Sequence, residues 1–482
     1  MPEKPPFTVG LEIHVRLNTR HKIFCACPNR SDGPPNSHTC PVCLGLPGAL
    51  PVLNPEVPGP ALRLALALGC TVATRSEFTR KNYFYPDLPR NYQITQQRRP
   101  LATAGRLEGV GLEGVGLERL HLEEDAGRSR HGADGQDRVD LNRAGAPLAE
   151  IVTLPGLRDG TEARQALARM RQLVRHLGVG DGDMEKGSLR CDANVGLGPG
   201  HPLAGPWIEI KNLNSLRFVQ RAVDQEIQRL ASLLAAEGKL RRQTRGWDPG
   251  AGRTFPLRLK EELADYLYLP EPDLPPLILS EARIEAARRN LPELPWVRED
   301  RYRVRWGVPR DDARTLCRAP ELAGYFEATV VELGKQAIAP PVGAPEAARW
   351  ILSRLLAAAG GKDEALDTVG LSPQGLATLL SALLTGRRTK HQIREVWERA
   401  LAGQDPADLL AGSSPSGLSR AEIGTLARAI LQQEPALVAR YRDGHASLLN
   451  HFVGKLMGAA GGGAEPAAVR EILLDLLEDC SS

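Results

Sequence analysis

The sequence predicts an α+β domain followed by all-α structure. In the first part of this 482-residue chain, short alternating stretches are broken by Gly, Pro and Asn, with helical periodicities between them. After about residue 293 the strand signal disappears, and amphipathic runs rich in Ala, Leu, Arg and Glu take over. The turn-rich stretch GQDPADLLAGSSPSG, 403–417, divides the helical part. Three domains are expected, at 1–292, 293–404 and 405–482, which suits this chain length.

In order, Val9 to Leu17, Arg119 to Asp125, Arg138 to Asn142 and Trp207 to Lys211 read as strands. Thr161 to His176 carries Leu167, Met170, Leu173 and Val174 at helical spacing and stops at Gly178, and Phe218 to Ala236 is a second long helix. PEPDLPPLIL, 270–279, is expected to close the α+β domain, because Pro270, Pro272, Pro275 and Pro276 cannot continue regular structure. Helices are then expected at Pro320–Leu333, Pro345–Ala359, Ser372–Leu384, Lys390–Ala402, Ser419–Gln433, Pro435–Tyr441, His445–Met457 and Glu465–Leu477. Pro345 suits a first helical position, and Ser419 with Glu422 forms a capping-box pattern.

Composition narrows the class of protein. Hydrophobic residues make up 42% of the chain, enough for ordinary cores. No run approaches the roughly 20 apolar residues that span a bilayer, and MPEKPPFTVG lacks the apolar stretch of a signal peptide, so a cytoplasmic location with no membrane contact is expected. The 61 basic and 58 acidic residues leave a net charge of +3, which permits a nucleic-acid partner only through local basic patches. Cys70, Cys191, Cys317 and Cys480 are scattered singly and are expected to stay reduced.

Cys25, Cys27, Cys40 and Cys43 are different. They lie as C-x-C, twelve intervening residues, then C-x-x-C. Two close thiol pairs on a loop that turns at Gly33, Pro34 and Pro35 suit one tetrahedral Zn²⁺. Two disulfides, or four unrelated thiols, are the alternatives.

Carboxylates and imidazoles mark a second site. A strand over VGLEIHVRL puts Leu11, Ile13, Val15 and Leu17 on one face and Glu12, His14 and Arg16 on the other. His121, Glu123, Glu124 and Asp125 crowd into one short stretch, where like charges are tolerable only in water or around a cation. Glu150 lies in an apolar run, and burying it is expensive unless it is paired or metal-bound. Together these residues point to an oxygen-rich site for Mg²⁺, which commonly shares its ligands with nucleotide phosphates.

Other segments carry weaker signals. Gly109, Gly111 and Gly114 match G-x-G-x-x-G, but VGLERLHLEED after them reads as strand, so a hairpin rather than a dinucleotide site is expected. RKNYFYPDLPRNYQITQ, 80–96, interleaves Arg80, Lys81 and Arg90 with Tyr83, Phe84, Tyr85 and Tyr92 in a chain with 5% aromatic residues. That concentration reads as a recognition surface or as loop packing. Arg190 and Asp192 in GSLRCDANV, with Lys211 and Asn212 in EIKNLNS, can bind phosphate or adenosine or can close loop hydrogen bonds.

VGLEIHVRLNT, the cysteine set with CPVCLGLPGALPVLN, RKNYFYPDLPRNYQI, HLEEDAG, KGSLRCDANV, EIKNLNS, QTRGWD and YLPEPDLPPL occur in this order. Together they resemble the B subunit of bacterial aspartyl/glutamyl-tRNA amidotransferase over essentially the whole chain. VARYRDGHASLLNHFVGKLMG is similar to that family's helical tail.

The resemblance implies a heterotrimer with A and C subunits, in which the A subunit hydrolyses glutamine and sends ammonia to the B subunit. The B subunit phosphorylates the side-chain carboxylate of Asp-tRNA(Asn) or Glu-tRNA(Gln) with ATP, and ammonia then displaces the phosphate. It also implies a cradle fold of the glutamine synthetase and guanido kinase class, with helical domains that grip tRNA. Glu12, His14, Glu124 and Glu150, with Glu123, fall on positions expected to hold or approach Mg²⁺. Lys81 and Tyr83 fall on the substrate-facing loop; Arg190, Asp192, Lys211 and Asn212 are further candidates for the pocket. The cysteines match zinc-bearing members, while other members lack them, so zinc is structural in this reading. AAGGGAEPAAV stands where the tail commonly carries more lysines, which moves attention to Arg387, Arg388, Lys390 and His391 as a basic patch for tRNA. Apart from the resemblance, a stand-alone ATP-dependent amide ligase and a non-catalytic zinc-stabilised RNA-binding protein fit the same residues.

Overall fold

The structure is a computed structural model that describes residues 7–111, 114–131, 135–198, 207–237, 239–259, 266–412, 418, 420–460, 464 and 466–478. The chain divides into two compact units, Met1–Trp296 and Val297–Ser482. The first mixes strands and helices, and the described part of the second is helical.

A mixed sheet organises the first unit. Its strands run in the order Arg253–Leu259, Gln243–Asp248, Ile208–Lys211, Leu189–Leu197, Phe7–Arg16, Pro147–Thr153, Val115–Glu124, Ala102–Thr103 and Thr71–Val72, with Arg106–Leu107 also paired to Val115–Glu124. Neighbours are antiparallel except Ile208–Lys211 beside Gln243–Asp248. The first strand explains the arrangement. Val9, Leu11, Ile13 and Val15 alternate with polar residues and are at most 1% exposed, each burial contributing roughly 1.5–3 kcal/mol. Helices Gly160–His176 and Leu216–Glu237 pack on each other and against the sheet, and supply Leu167, Met170, Val174, Val219, Val223 and Leu230 to its core.

The start of the first of these helices is set by Asp159, whose carboxylate accepts from the Glu162 N–H at 2.9 Å. Gly160 follows because a Cβ there would lie 2.2 Å from the Gln220 carbonyl oxygen of the second helix. A smaller four-stranded sheet pairs Arg75–Asn82 with Tyr92–Arg99, Leu267–Pro270 and Leu277–Ile278, and carries Lys81 toward the main sheet.

Among the described residues, helices of the second unit enclose two separate hydrophobic cores. One runs from Tyr302 to Leu409, where Tyr302 stacks on Trp306 at 5.0 Å and meets Phe326 edge-on at 4.8 Å. The other, from Ile423 to Leu477, is centred on Phe452, Leu456, Val469 and Leu473. Among the described residues no helix is long and apolar enough to cross a membrane.

Several expected boundaries move. The proline-rich stretch at 270–279 does not end the first unit. Pro270 closes an edge strand, and a further helix, Glu281–Arg289, packs Ile284 and Ala287 on the core, followed by Leu291, Leu294 and Trp296. Pro345 lies inside a helix that starts at Pro340, where Pro340 and Pro341 occupy the first turn, and a π-helical turn, Ile351–Leu355, follows. The helix expected from His445 begins at Leu448, because residues 445–447 form a turn after Gly444 at φ 100°. Pro406–Gly412 is a helix within the stretch read as a turn-rich divider. Ser419 and its capping box fall outside the described residues. The glycine repeat lies, as expected, between antiparallel strands, with Gly109, Gly111 and Gly114 all at positive φ.

Candidate active site

Strand register assembles a polar face on the main sheet. His14 lies opposite Glu150 on one neighbouring strand and Arg190 on the other, while Glu12 lies opposite Asp192. Glu150 in turn faces His121, and Asn194 faces Glu209. Period-two alternation therefore lines up charged groups from five strands on the side away from Leu11, Ile13 and Ile151.

His14 joins two carboxylates. Its Nε2 lies 3.3 Å from Glu123 Oε1 and 3.2 Å from Glu150 Oε2, and His121 Nε2 lies 3.5 Å from Glu150 Oε2. Burial works against the charged His14 ring, but Glu150 and Glu123 outweigh it and lift its pKa to about 10. For Glu123, burial opposes ionisation, yet hydrogen bonds from His121 and His14 hold it well below the usual carboxylate range. Glu150 is also held low, with His121 the main influence opposing its burial. Donor atoms of His14, Glu123 and Glu150 lie within 4.8 Å of one another, a set that can hold a metal ion. His121 Nδ1, buried on the same strand as Glu123, has no hydrogen-bond partner among the described residues.

Beside it, Glu12, Asp192 and Glu209 form a second acidic group. A lysine already occupies it. Lys211 Nζ lies 2.7 Å from Asp192 and 2.8 Å from Glu209, and these carboxylates overcome the burial of the lysine and raise its pKa. Asn194 Nδ2 donates to Glu12 Oε1 at 2.8 Å, while burial, reinforced by Glu150, raises the Glu12 pKa.

The remaining sequence candidates divide. Glu124 alternates away from Glu123 and belongs to neither acidic group; it pairs with Arg90 and accepts from the Ile94 N–H at 2.9 Å. Burial raises its pKa despite Arg90. Lys81 does approach the site. Its Nζ sits 4.7 Å from the Tyr266 ring and 5.9 Å from the Tyr83 ring, and Glu123 foremost outweighs burial to raise its pKa. Next to Tyr83, Phe84 is 81% and Tyr85 54% exposed. Arg190 donates to Asp125 at 2.8 Å on the same face. Asn212 is exposed just past the end of its strand, in the left-handed region at φ 66°. Asn194 and Glu209 are not singled out by the sequence, and His121 stands there only as a member of the crowded acidic stretch; the alternation of Glu209 with Lys211, and of His121 with Glu123, is the signal it offers.

The four N-terminal cysteines converge, with their sulfurs within 4.8 Å of one another. Zinc–sulfur bonds of about 2.3 Å would set tetrahedral sulfurs roughly 3.8 Å apart. Cys27 Sγ is 4.0 Å and Cys40 Sγ 3.9 Å from Cys43 Sγ, so the thiols fit such an ion without disulfides. Cys43 is pulled down to about 4, foremost by its hydrogen bond with Cys25.

In the second unit, the basic patch is less uniform than its sequence. Arg387 and Lys390 are exposed, but Arg388 is partly buried and donates to the Leu410 carbonyl at 2.5 Å. His391 sits 3.5 Å from Glu395.

Residues 7–285 match the family model described as the GatB/GatE catalytic domain. The chain belongs to the GatB family. Residues 325–477 match a second model, described as the GatB domain. The B subunit of the aspartyl/glutamyl-tRNA(Asn/Gln) amidotransferase of Thermus thermophilus is 43% identical to this GatB-family chain over 475 residues, covering 97% of this chain and 98% of the relative. The B subunit of the same name from Geotalea daltonii is 42% identical over 484 residues, covering 98% of each chain, and that from Myxococcus xanthus is 42% identical over 478 residues with the same coverage.

Proposed function

We propose that this chain is the B subunit of a glutamine-dependent tRNA amidotransferase, a carbon–nitrogen ligase acting with A and C subunits. The observation that carries this reading is the His14, Glu123 and Glu150 group on the polar sheet face of a GatB-family chain. In the reaction, a side-chain carboxylate oxygen of Asp-tRNA(Asn) or Glu-tRNA(Gln) attacks the γ-phosphorus of ATP, and ADP leaves. Ammonia delivered from the A subunit attacks the acyl carbon, phosphate departs, a proton is released, and the amide remains.

This chain's residues contribute position and electrostatics. Glu123, Glu150 and His14 are the proposed Mg²⁺ holders, with Glu12 at the rim beside Asn194. Mg²⁺ held there would supply positive charge opposite the transferring phosphoryl group. Lys81 keeps its proton and faces the same space, so it stabilises phosphate charge rather than acting as a base. Arg190 and Lys211, with Asp192, lie on the same polar face and are further candidates for contacting phosphate. Tyr83 and the exposed Phe84 and Tyr85 offer aromatic faces to an acceptor-end base. Glu124 braces the strand bearing Glu123, a role supported by its contacts with Arg90 and the Ile94 N–H.

Zn²⁺ in the cysteine group is structural. The first domain, 1–292, is a cradle of the glutamine synthetase and guanido kinase class; 293–404 is a helical domain, and 405–482 is a tail that contacts tRNA. The assembled trimer, given ATP, Mg²⁺ and misacylated tRNA, should form ADP in a tRNA-dependent manner. ADP formation driven instead by a small carboxylate would establish the stand-alone ligase, and tRNA binding without ADP formation would leave an RNA-binding protein.

A further inference from the structure

Lys22 is fully buried, at 0% exposure. Its Nζ donates to the His38 carbonyl oxygen at 2.8 Å, lies 3.4 Å from the Leu141 carbonyl oxygen and approaches Cys43 Sγ at 3.6 Å. Carbonyl oxygens solvate an ammonium but do not neutralise it. A buried charge without a counter-charge costs several kcal/mol, so Lys22 requires an anion, and the sulfur of Cys43 stands where one would be. Cys43 Sγ also faces the Cys40 N–H at 3.1 Å, so two donors converge on this sulfur. The backbone around Lys22 is tied to the same knot, its N–H donating to the Cys27 carbonyl at 2.9 Å.

We infer that Lys22 is the buried counter-cation of the cysteine metal centre and binds its charge to the segment ahead of the Glu150 strand. One zinc ion held by four thiolates is a dianion, and an ammonium against one sulfur halves that charge. The contact to Leu141 anchors the same ammonium to the chain that leads into Pro147–Thr153. Lys22 is thus a positioning residue for the metal, and the inference rests on the zinc reading above.

The test uses the full chain in its trimer. Zinc content is measured by mass spectrometry, zinc release by a chromogenic chelator, and the sulfur-to-metal charge-transfer band after Co²⁺ substitution, for wild type, Lys22→Met, Lys22→Gln and Lys22→Arg. Lys22→Gln keeps hydrogen-bonding capacity and removes the charge. Both neutral variants should release zinc about 10–100-fold faster than wild type and shift the cobalt band to lower energy, with Lys22→Arg closer to wild type. A fold defect alone would not move the band of the protein that retains metal. If only Lys22→Arg yields zinc-loaded protein, the need for charge stands. Neutral variants with unchanged release and band energy overturn the inference, as does failure of all three to fold, which marks a steric role. A wild-type protein that holds no zinc defeats the zinc reading itself.

Discussion

The two metal-ligating groups of the first unit are built in opposite ways. The thiols come from one short loop segment, Cys25 to Cys43, whereas His14, Glu123 and Glu150 come from three strands far apart in sequence and adjacent in the sheet. The loop group is stitched to the fold from outside: Asn142 donates to the Pro34 carbonyl and accepts from the His38 N–H, both at 2.8 Å. The sheet group is fixed from beneath, by Ile13, Leu122, Ala149 and Ile151, none of them exposed. A lost metal can therefore loosen the first group while leaving strand register intact. The second cannot move unless the sheet does. A narrow bridge joins them, because Ile23 donates to the Gly145 carbonyl and Gly145 to the Asp125 carbonyl, both at 2.9 Å.

The largest effects should separate chemistry from support. Glu150→Gln and His14→Ala are expected to cut tRNA-dependent ADP formation by the folded trimer by about 10²–10³-fold or more, beyond any stability lost with the His14–carboxylate pairs. If these variants turn over normally, the sheet group has no catalytic part. Cys40→Ser should do the reverse, removing zinc and on the order of 3 kcal/mol of stability while the residual folded trimer keeps its turnover. Denaturant titration beside a rate measurement tells the two apart, and a stable but inactive Cys40→Ser variant would erase the contrast.

Glu124→Gln tests the division between neighbouring carboxylates. It leaves Arg90 buried without its partner, so a loss of about 3 kcal/mol is expected, with a smaller drop in turnover than for Glu150→Gln. Equal loss of turnover without loss of stability would move Glu124 into the reacting site.

A pH series sharpens the sheet group further. In metal-free protein, the His14 pKa is raised from 6.5 to about 10, so its contribution to stability is complete below about pH 6.5 and disappears as pH rises through about 10. Glu123 and Glu150 are lowered, so theirs is present above about pH 4.5 and is lost as pH falls below that. The melting-temperature gap between wild type and His14→Gln should therefore be widest between about pH 4.5 and 6.5 and should close toward pH 10. A gap that does not vary with pH would show that His14 is not charged in the fold.

The smallest effect belongs to the second unit. Arg387→Glu should weaken tRNA binding modestly and reduce the salt slope by about 1, while Arg388→Glu should chiefly destabilise its helices through the lost Leu410 contact. Identical salt slopes in wild type and Arg387→Glu would remove that patch from the tRNA surface.

How legible each group was follows from where its ligands lie. C-x-C and C-x-x-C announce the thiol group because the chain itself sets their separation, and the alternation in VGLEIHVRL foretold which side Glu12 and His14 would take. Glu123 and Glu124 show the limit. As neighbours on one strand they must point to opposite faces, but only the pairing of that strand with Pro147–Thr153 decided which of them meets His14. Lys211 is a similar case, since its role as counter-charge to Asp192 and Glu209 depends on three aligned strands.

By itself, then, the sequence determined the α+β and helical parts, the thiol group, the polar alternation of the first strand and the family, because these rest on spacing along the chain. The tertiary structure alone decided that Glu123 rather than Glu124 joins His14 and Glu150, that Arg388 serves its own helices, and that Lys22 lies buried against Cys43. Those choices depend on strand register and packing between distant segments, which no local spacing encodes.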